Sequence, residues 1–188
     1  MVQTAHVEPR YTAERYLQLV QAGVLGPNDR VELLEGVIVS MAPHNPPHAA
    51  AIRRVDAALR EAIGKRAVVS AQLPLSVGGY SVPKPDVAVL PGQPSDYDHA
   101  HPTSALLVVE VADTSLVQDR LTKAAIYPAA GIPEYWLVNL RDACVEVFRA
   151  PETAARRYAT TIAVPRGARL EIAALSGASV AVNDLLPG

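Results

Sequence analysis

Three residues of this chain, Asp86, Glu110 and Lys123, have side chains and positions that suit joint work on a charged ligand. Glu110 interrupts an apolar run, Leu106-Leu107-Val108-Val109-Glu110-Val111. A carboxylate inside such a run is costly to bury unless it is paired, protonated or bound to a cation. The alternative is a salt-bridged glutamate at the end of the strand. Asp86 follows Lys84-Pro85 and opens a second apolar stretch, Val87-Ala88-Val89. Taken alone it reads as a turn aspartate. Taken with Glu110 it gives two carboxylates at the ends of successive strands, which can meet at one edge of a sheet. Lys123 follows on the next helical segment. At 100° per residue, Val117, Leu121, Ala124 and Ala125 form a core stripe, with Arg120, Lys123 and Tyr127 on a neighbouring one. That places Lys123 at the margin of the buried face, where its stem packs and its ammonium reaches toward a site. A solvated lysine is the alternative for that residue.

The elements that must hold these residues are readable from pattern. Thr12 caps a short helix that ends near Gly23. Residues 30–41 read as a hairpin turning at Glu35-Gly36. Asn45, with Pro46 and Pro47, starts a helix carrying Ile52, Val55, Leu59 and Ile63 at helical spacing. Alternation of Val69, Ala71, Leu73, Leu75 and Val77 predicts one strand ending at Gly78-Gly79. The unbroken apolar run before Glu110 predicts a central strand covered on both faces. Ser115 and Gln118 fit a capping box for a helix beginning near Leu116 and closed by Gly131 and Pro133. A strand follows at Tyr135-Trp136-Leu137-Val138, then hairpin strands from Cys144 onward. The Pro- and Asp-containing residues 91–103 form a surface loop.

Composition narrows the class. At 188 residues and 49% apolar, the chain suits a single domain over residues 1–188. No apolar run is long enough to cross a bilayer, and the N-terminus lacks the apolar core of a secretory signal. The single cysteine, Cys144, excludes an intramolecular disulfide and a multi-cysteine zinc site. A buried structural thiol is expected there, and the protein is expected to be cytoplasmic. A net charge of −2 argues against a protein that coats nucleic acid along its whole surface.

Five motifs, taken in order, resemble a known family. They are Glu32-Leu33-Leu34-Glu35-Gly36; Pro85-Asp86-Val87-Ala88-Val89; Val108-Val109-Glu110-Val111 with Asp113-Thr114-Ser115; Asp119-Arg120 with Lys123 and Tyr127; and Gly131-Ile132-Pro133-Glu134-Tyr135-Trp136-Leu137-Val138. Together they resemble the Uma-two family, a bacterial group within the PD-(D/E)XK endonuclease superfamily. The resemblance runs from about Tyr11 to Leu186. It implies an α/β (α+β) restriction-endonuclease-like core: a mixed β-sheet flanked by helices, with an N-terminal helix and hairpin and C-terminal β additions. It also implies a divalent metal, usually magnesium, and hydrolysis of nucleic-acid phosphodiesters, with DNA ahead of RNA as substrate.

In that resemblance Asp86 is the motif aspartate and Glu110 the motif glutamate. The lysine expected two places after the glutamate is replaced by Ala112, and Lys123 on the following helix takes its role. Carboxylate oxygens suit magnesium or manganese better than zinc. The metal ligands expected are therefore Asp86 and Glu110, with the Ala112 carbonyl a candidate for a third. Glu32, Gln72, His48 and Tyr127 are secondary candidates around the same site. Arg53, Arg54, Arg60, Lys65 and Arg66, with Arg120, are either a solvated face or a patch for phosphates. Arg53, Arg60 and Arg120 are the substrate-binding candidates among them.

Other features carry less. His99 and His101 fit exposed loop histidines better than metal ligands. His44 and His48, split by Pro46-Pro47, are not expected to share a helix face. No nucleophile elbow, phosphate loop or H-E-x-x-H motif is present. Two non-catalytic readings stand beside the nuclease. One is a nuclease fold that binds but no longer cleaves. The other is an interaction domain forming a homodimer through Tyr135 and Trp136 or the added strands.

Overall fold

The computed structural model describes residues 10–26, 28–113 and 119–188. Thr12 caps α1 (Ala13–Gln21) by accepting the Arg15 amide at 3.1 Å, and Gly23 ends the segment at φ 72°. Strands β1 (Val31–Leu34) and β2 (Val37–Ser40) form the expected hairpin. Both turn residues take positive φ, Glu35 at 51° and Gly36 at 85°, which is the type I′ geometry that suits the twist of a hairpin. Asn45 caps α2 (Pro46–Ile63) by accepting the His48 amide, with proline in the first turn where no amide is needed.

The main sheet has six strands in the order β3-β4-β5-β6-β7-β8. They are β3 (Val68–Ala71), β4 (Val87–Leu90), β5 (Leu107–Ala112), β6 (Glu134–Asn139), β7 (Cys144–Glu152) and β8 (Arg157–Pro165). All neighbours pair antiparallel except β5 and β6, which run parallel. The crossover between those two carries a π turn (Asp119–Lys123) and α3 (Ala124–Ala129). A small antiparallel pair, β9 (Arg169–Glu171) and β10 (Ser179–Ala181), and a terminal turn, α4 (Val182–Leu185), complete the chain.

Strand alternation sorts the core into two layers. Val87, Val89, Val109, Val111, Trp136 and Val138 pack beneath α2 and the C-terminal additions. Ala88, Val108, Ala112, Tyr135 and Leu137 pack on the other face with Leu34, Ile126 and Tyr127. Every residue of β4, β5 and β6 is buried, as the continuous apolar run in β5 predicts. Among the described residues no helix is long and apolar enough to cross a membrane.

Four local expectations need correction. The single strand expected from Val69 to Val77 stops at Ala71, because Gln72 takes φ 55° and turns the chain. Val69 therefore packs beneath α2, Leu75 and Val77 pack on the opposite face, and Leu73 is 60% exposed. On the crossover, the π turn breaks the 100° projection. Leu121 is 69% exposed, whereas Lys123, Ile126 and Tyr127 are buried. The capping box at Ser115 and Gln118, with Val117, lies outside the described residues. Tyr135 and Trp136 are both fully buried within the chain, so they cannot form a dimer surface. Cys144 is half-buried, and burial raises its thiol pKa.

Candidate active site

The β4/β5 register pairs Val87 with Val109, so the next step outward sets Asp86 opposite Glu110. Opposed residues of an antiparallel pair share a face, and two backbone-to-side-chain hydrogen bonds tie the two strand ends together. The Asp86 amide donates to Glu110 Oε2 at 3.3 Å, and the Val111 amide donates to Asp86 Oδ2 at 2.9 Å. Both side chains are buried, at 5% and 3% exposure, but both line a cleft with Glu32, His44, His48 and Lys123.

Lys123 comes in from the π turn, its Nζ 2.9 Å from Glu110 Oε1 and 3.4 Å from Glu32 Oε1. Tyr127, one helical turn on, donates its hydroxyl to Glu110 Oε1 at 2.6 Å. Burial and the neighbouring Glu110 push the Tyr127 phenol well above its ordinary pKa, so it stays a donor. Glu32 is brought in by β1 and held by the Lys84 amide at 3.0 Å. Glu32 and Glu110 thus share the Lys123 ammonium, and Asp86 lies in the same cleft, a cluster of carboxylates suited to holding a cation.

The other side of Asp86 is different. His48, in the first turn of α2, sets Nε2 3.4 Å from Asp86 Oδ2, close enough to bear on the carboxylate but without hydrogen-bond geometry. His44 stacks on His48 with ring centroids 4.4 Å apart and planes 10° from parallel. Potential ligand atoms of His44, His48 and Asp86 lie within 4.8 Å of one another. Burial pushes the Asp86 carboxyl up, but the His48 ring, the Val111 amide and the Lys123 charge outweigh it and hold it below the usual range. Burial and the adjacent His48 lower the His44 pKa, which favours a neutral ring with a lone pair to offer.

A family model described as "Putative restriction endonuclease", Uma2, matches residues 13–183. The chain belongs to the Uma2 family. A solved structure described as a "putative nuclease belonging to DUF820" from Anabaena variabilis ATCC 29413 shares the fold, with a TM-score of 0.66 at 17% identity over 93% of this chain and 96% of that one. No curated protein sequence gives a significant match.

Of the residues expected from the sequence, Asp86, Glu110, Lys123, Glu32, His48 and Tyr127 come together. Gln72 reaches the edge of the group, its amide nitrogen 3.4 Å from His44 Nδ1. The Ala112 carbonyl is taken up by the Leu140 amide at 3.0 Å, and Val111 lines the cleft in its place. Arg53, Arg60 and Arg120 do not line the cleft. Arg60 is bound to Asp56 and to the Val69 carbonyl, both at 2.9 Å. Arg120 donates from Nε and Nη2 to the two carboxylate oxygens of Glu146. Arg53 is exposed on α2 and makes no part of the cleft lining.

His44 is the residue that sequence spacing missed. It lies just before the Asn45 cap, and the cap turns the chain so that the preceding residue folds back over the first helical turn. The signal was the capping Asn45 itself, with a histidine on either side of the cap and its prolines.

Proposed function

We propose that this Uma2-family chain is a metal-dependent nuclease that hydrolyses phosphodiester bonds, acting in the cytoplasm on DNA ahead of RNA. The observation that carries the reading is the buried Lys123–Glu110 pair at 2.9 Å, set beside Asp86 at the ends of β4 and β5. It supports Lys123 as the substitute for the motif lysine that Ala112 lacks. The donor chemistry fits a dication: Asp86 offers carboxylate oxygen, and His48 Nε2 beside it is buried without a hydrogen-bond partner. Magnesium or manganese, when bound, polarises the scissile phosphate and lowers the pKa of the attacking water.

The chain's own residues divide the remaining work. Asp86 would hold the ion, and its carboxylate is kept ionised by the Val111 amide and His48. Glu110 orients the Lys123 ammonium, and Tyr127 fixes Glu110 in turn. Lys123 then offsets charge that builds on the phosphate oxygens, a stabilisation that is strongest away from bulk water.

A second reading, a binding module without cleavage, draws on the same lysine, because Lys123 also lies 3.4 Å from Glu32 and is held between two carboxylates. The test is cleavage of labelled single- and double-stranded DNA and RNA, with and without added magnesium or manganese, beside an Asp86→Ala control. Metal-dependent cleavage that disappears in the control is expected. Wild-type protein that never rises above the control under any metal would leave the binding module.

A further inference from the structure

We infer that His44, His48 and Asp86 form a mixed nitrogen–oxygen site that takes a transition-metal dication such as manganese, cobalt or zinc in preference to magnesium. The inference deepens the nuclease reading and rests on it for the ion's role, though not for its binding.

The donor set is the argument. Magnesium favours oxygen ligands and retained waters, whereas imidazole suits the borderline transition metals. Two imidazoles and one carboxylate converge here, with ligand atoms within 4.8 Å. The second carboxylate of the motif, Glu110, is already engaged by Lys123, Tyr127 and the Asp86 amide. The ion-binding capacity of the cleft is therefore displaced from the Glu110 side to the histidine side.

Two features support a built site rather than a chance cluster. Buried polar atoms normally find a well-made hydrogen bond, and the buried His48 Nε2 has only Asp86 Oδ2 at 3.4 Å, without hydrogen-bond geometry. An ion bound there would satisfy that nitrogen. The Gln72 amide lies 3.4 Å from His44 Nδ1. Turned by 180°, its oxygen accepts the Nδ1 proton and leaves the Nε2 lone pair for an ion, as outer partners do for metal-bound histidines.

The positioning has a backbone cause. Asn45 caps α2 through the His48 amide and also donates its side-chain amide to Asp113 Oδ2 at 2.8 Å. That pair of bonds holds the chain before the helix against the end of β5, so that His44 stacks on His48 and both face Asp86.

The test measures ion binding directly. Cobalt is titrated into the metal-free protein and read by its visible absorption and by calorimetry, with zinc, manganese and magnesium as competitors. Transition metals outrank magnesium at almost any site, so the deciding result lies in the variants. His44→Gln and His48→Gln should each weaken cobalt binding by about 10-fold or more, while magnesium affinity changes by less than about 3-fold. Melting of the metal-free variants checks that they are folded, and His44, in the segment before the helix, gives the arm least exposed to misfolding. Cobalt affinity unchanged in folded His44→Gln, or losses equal for cobalt and magnesium, would overturn the inference. Tight cobalt binding without cleavage of any substrate would defeat the nuclease reading and leave this site standing.

Discussion

Glu110 and Glu134 lie on the adjacent parallel strands β5 and β6, 3% and 0% exposed, and either would be costly to bury alone. Alternation sends them to opposite faces of the sheet, and register sends them to opposite ends. Glu134 Oε1 accepts the Trp136 indole at 2.9 Å and Arg149 Nε at 2.7 Å, and its Oε2 accepts the Ala173 amide at 2.9 Å. Those donors tie β6 to β7 and to the C-terminal additions. Glu110 is held as firmly, by Lys123, Tyr127 and the Asp86 amide, but these line or adjoin a cleft that also holds Glu32 and two histidines. Burial of a carboxylate in a central strand thus does not distinguish structure from chemistry. What distinguishes them is whether the partners end in the fold or open onto a space where a substrate can sit.

The contrast can be broken most forcefully through activity. Glu110→Gln should lower cleavage by roughly 10²–10⁴-fold, because the amide no longer fixes the Lys123 charge. It should also cost about 3 kcal/mol in urea unfolding, because Lys123 loses one of its carboxylates and the amide nitrogen faces another donor. Glu134→Ala should act on stability without changing activity. It strips partners from Trp136, Arg149 and Ala173 and should cost about 3 kcal/mol in the same unfolding experiment. The folded fraction should cleave at the wild-type rate. If both substitutions act on stability alone, Glu110 is a second Glu134 and the cleft is not catalytic.

A smaller effect sharpens the comparison. Tyr127→Phe removes one donor from Glu110 and should cost about 1–2 kcal/mol of stability. It should also lower cleavage by about 10-fold, because Glu110 is less well fixed. Smallest of all, Leu121→Ala should change unfolding by less than about 0.5 kcal/mol. Its side chain is 69% exposed, although helical projection assigns it to the core.

Those cases mark what was legible in the sequence. The β5 strand and α2 were readable because an unbroken apolar run and a 3.6-residue period each report burial without knowledge of the rest of the fold. Asp86 and Glu110 followed, since both sit where such runs begin or end. Lys123 was placed on the right segment but at its margin, because residue spacing does not reveal a π turn. Gln72 ended a strand early through a left-handed backbone that no alternation pattern encodes. The stacking of His44 on His48 depends on how a capped helix start folds back, which is a tertiary fact. Glu134 drew no notice of its own, because its partners come from β7 and from beyond β9, far along the chain.

The claim at the centre of this account is that the cleft has two working halves, an ion-holding side at Asp86 and a charge-offsetting side at Lys123. The most direct measurement compares Lys123→Ala with wild type in metal affinity and in cleavage, side by side. Lys123→Ala should bind manganese as tightly as wild type or more tightly, since a competing positive charge is gone. Its cleavage should fall by roughly two to four orders of magnitude. Normal cleavage by Lys123→Ala, or parallel loss of metal binding and cleavage in a folded protein, would contradict the division.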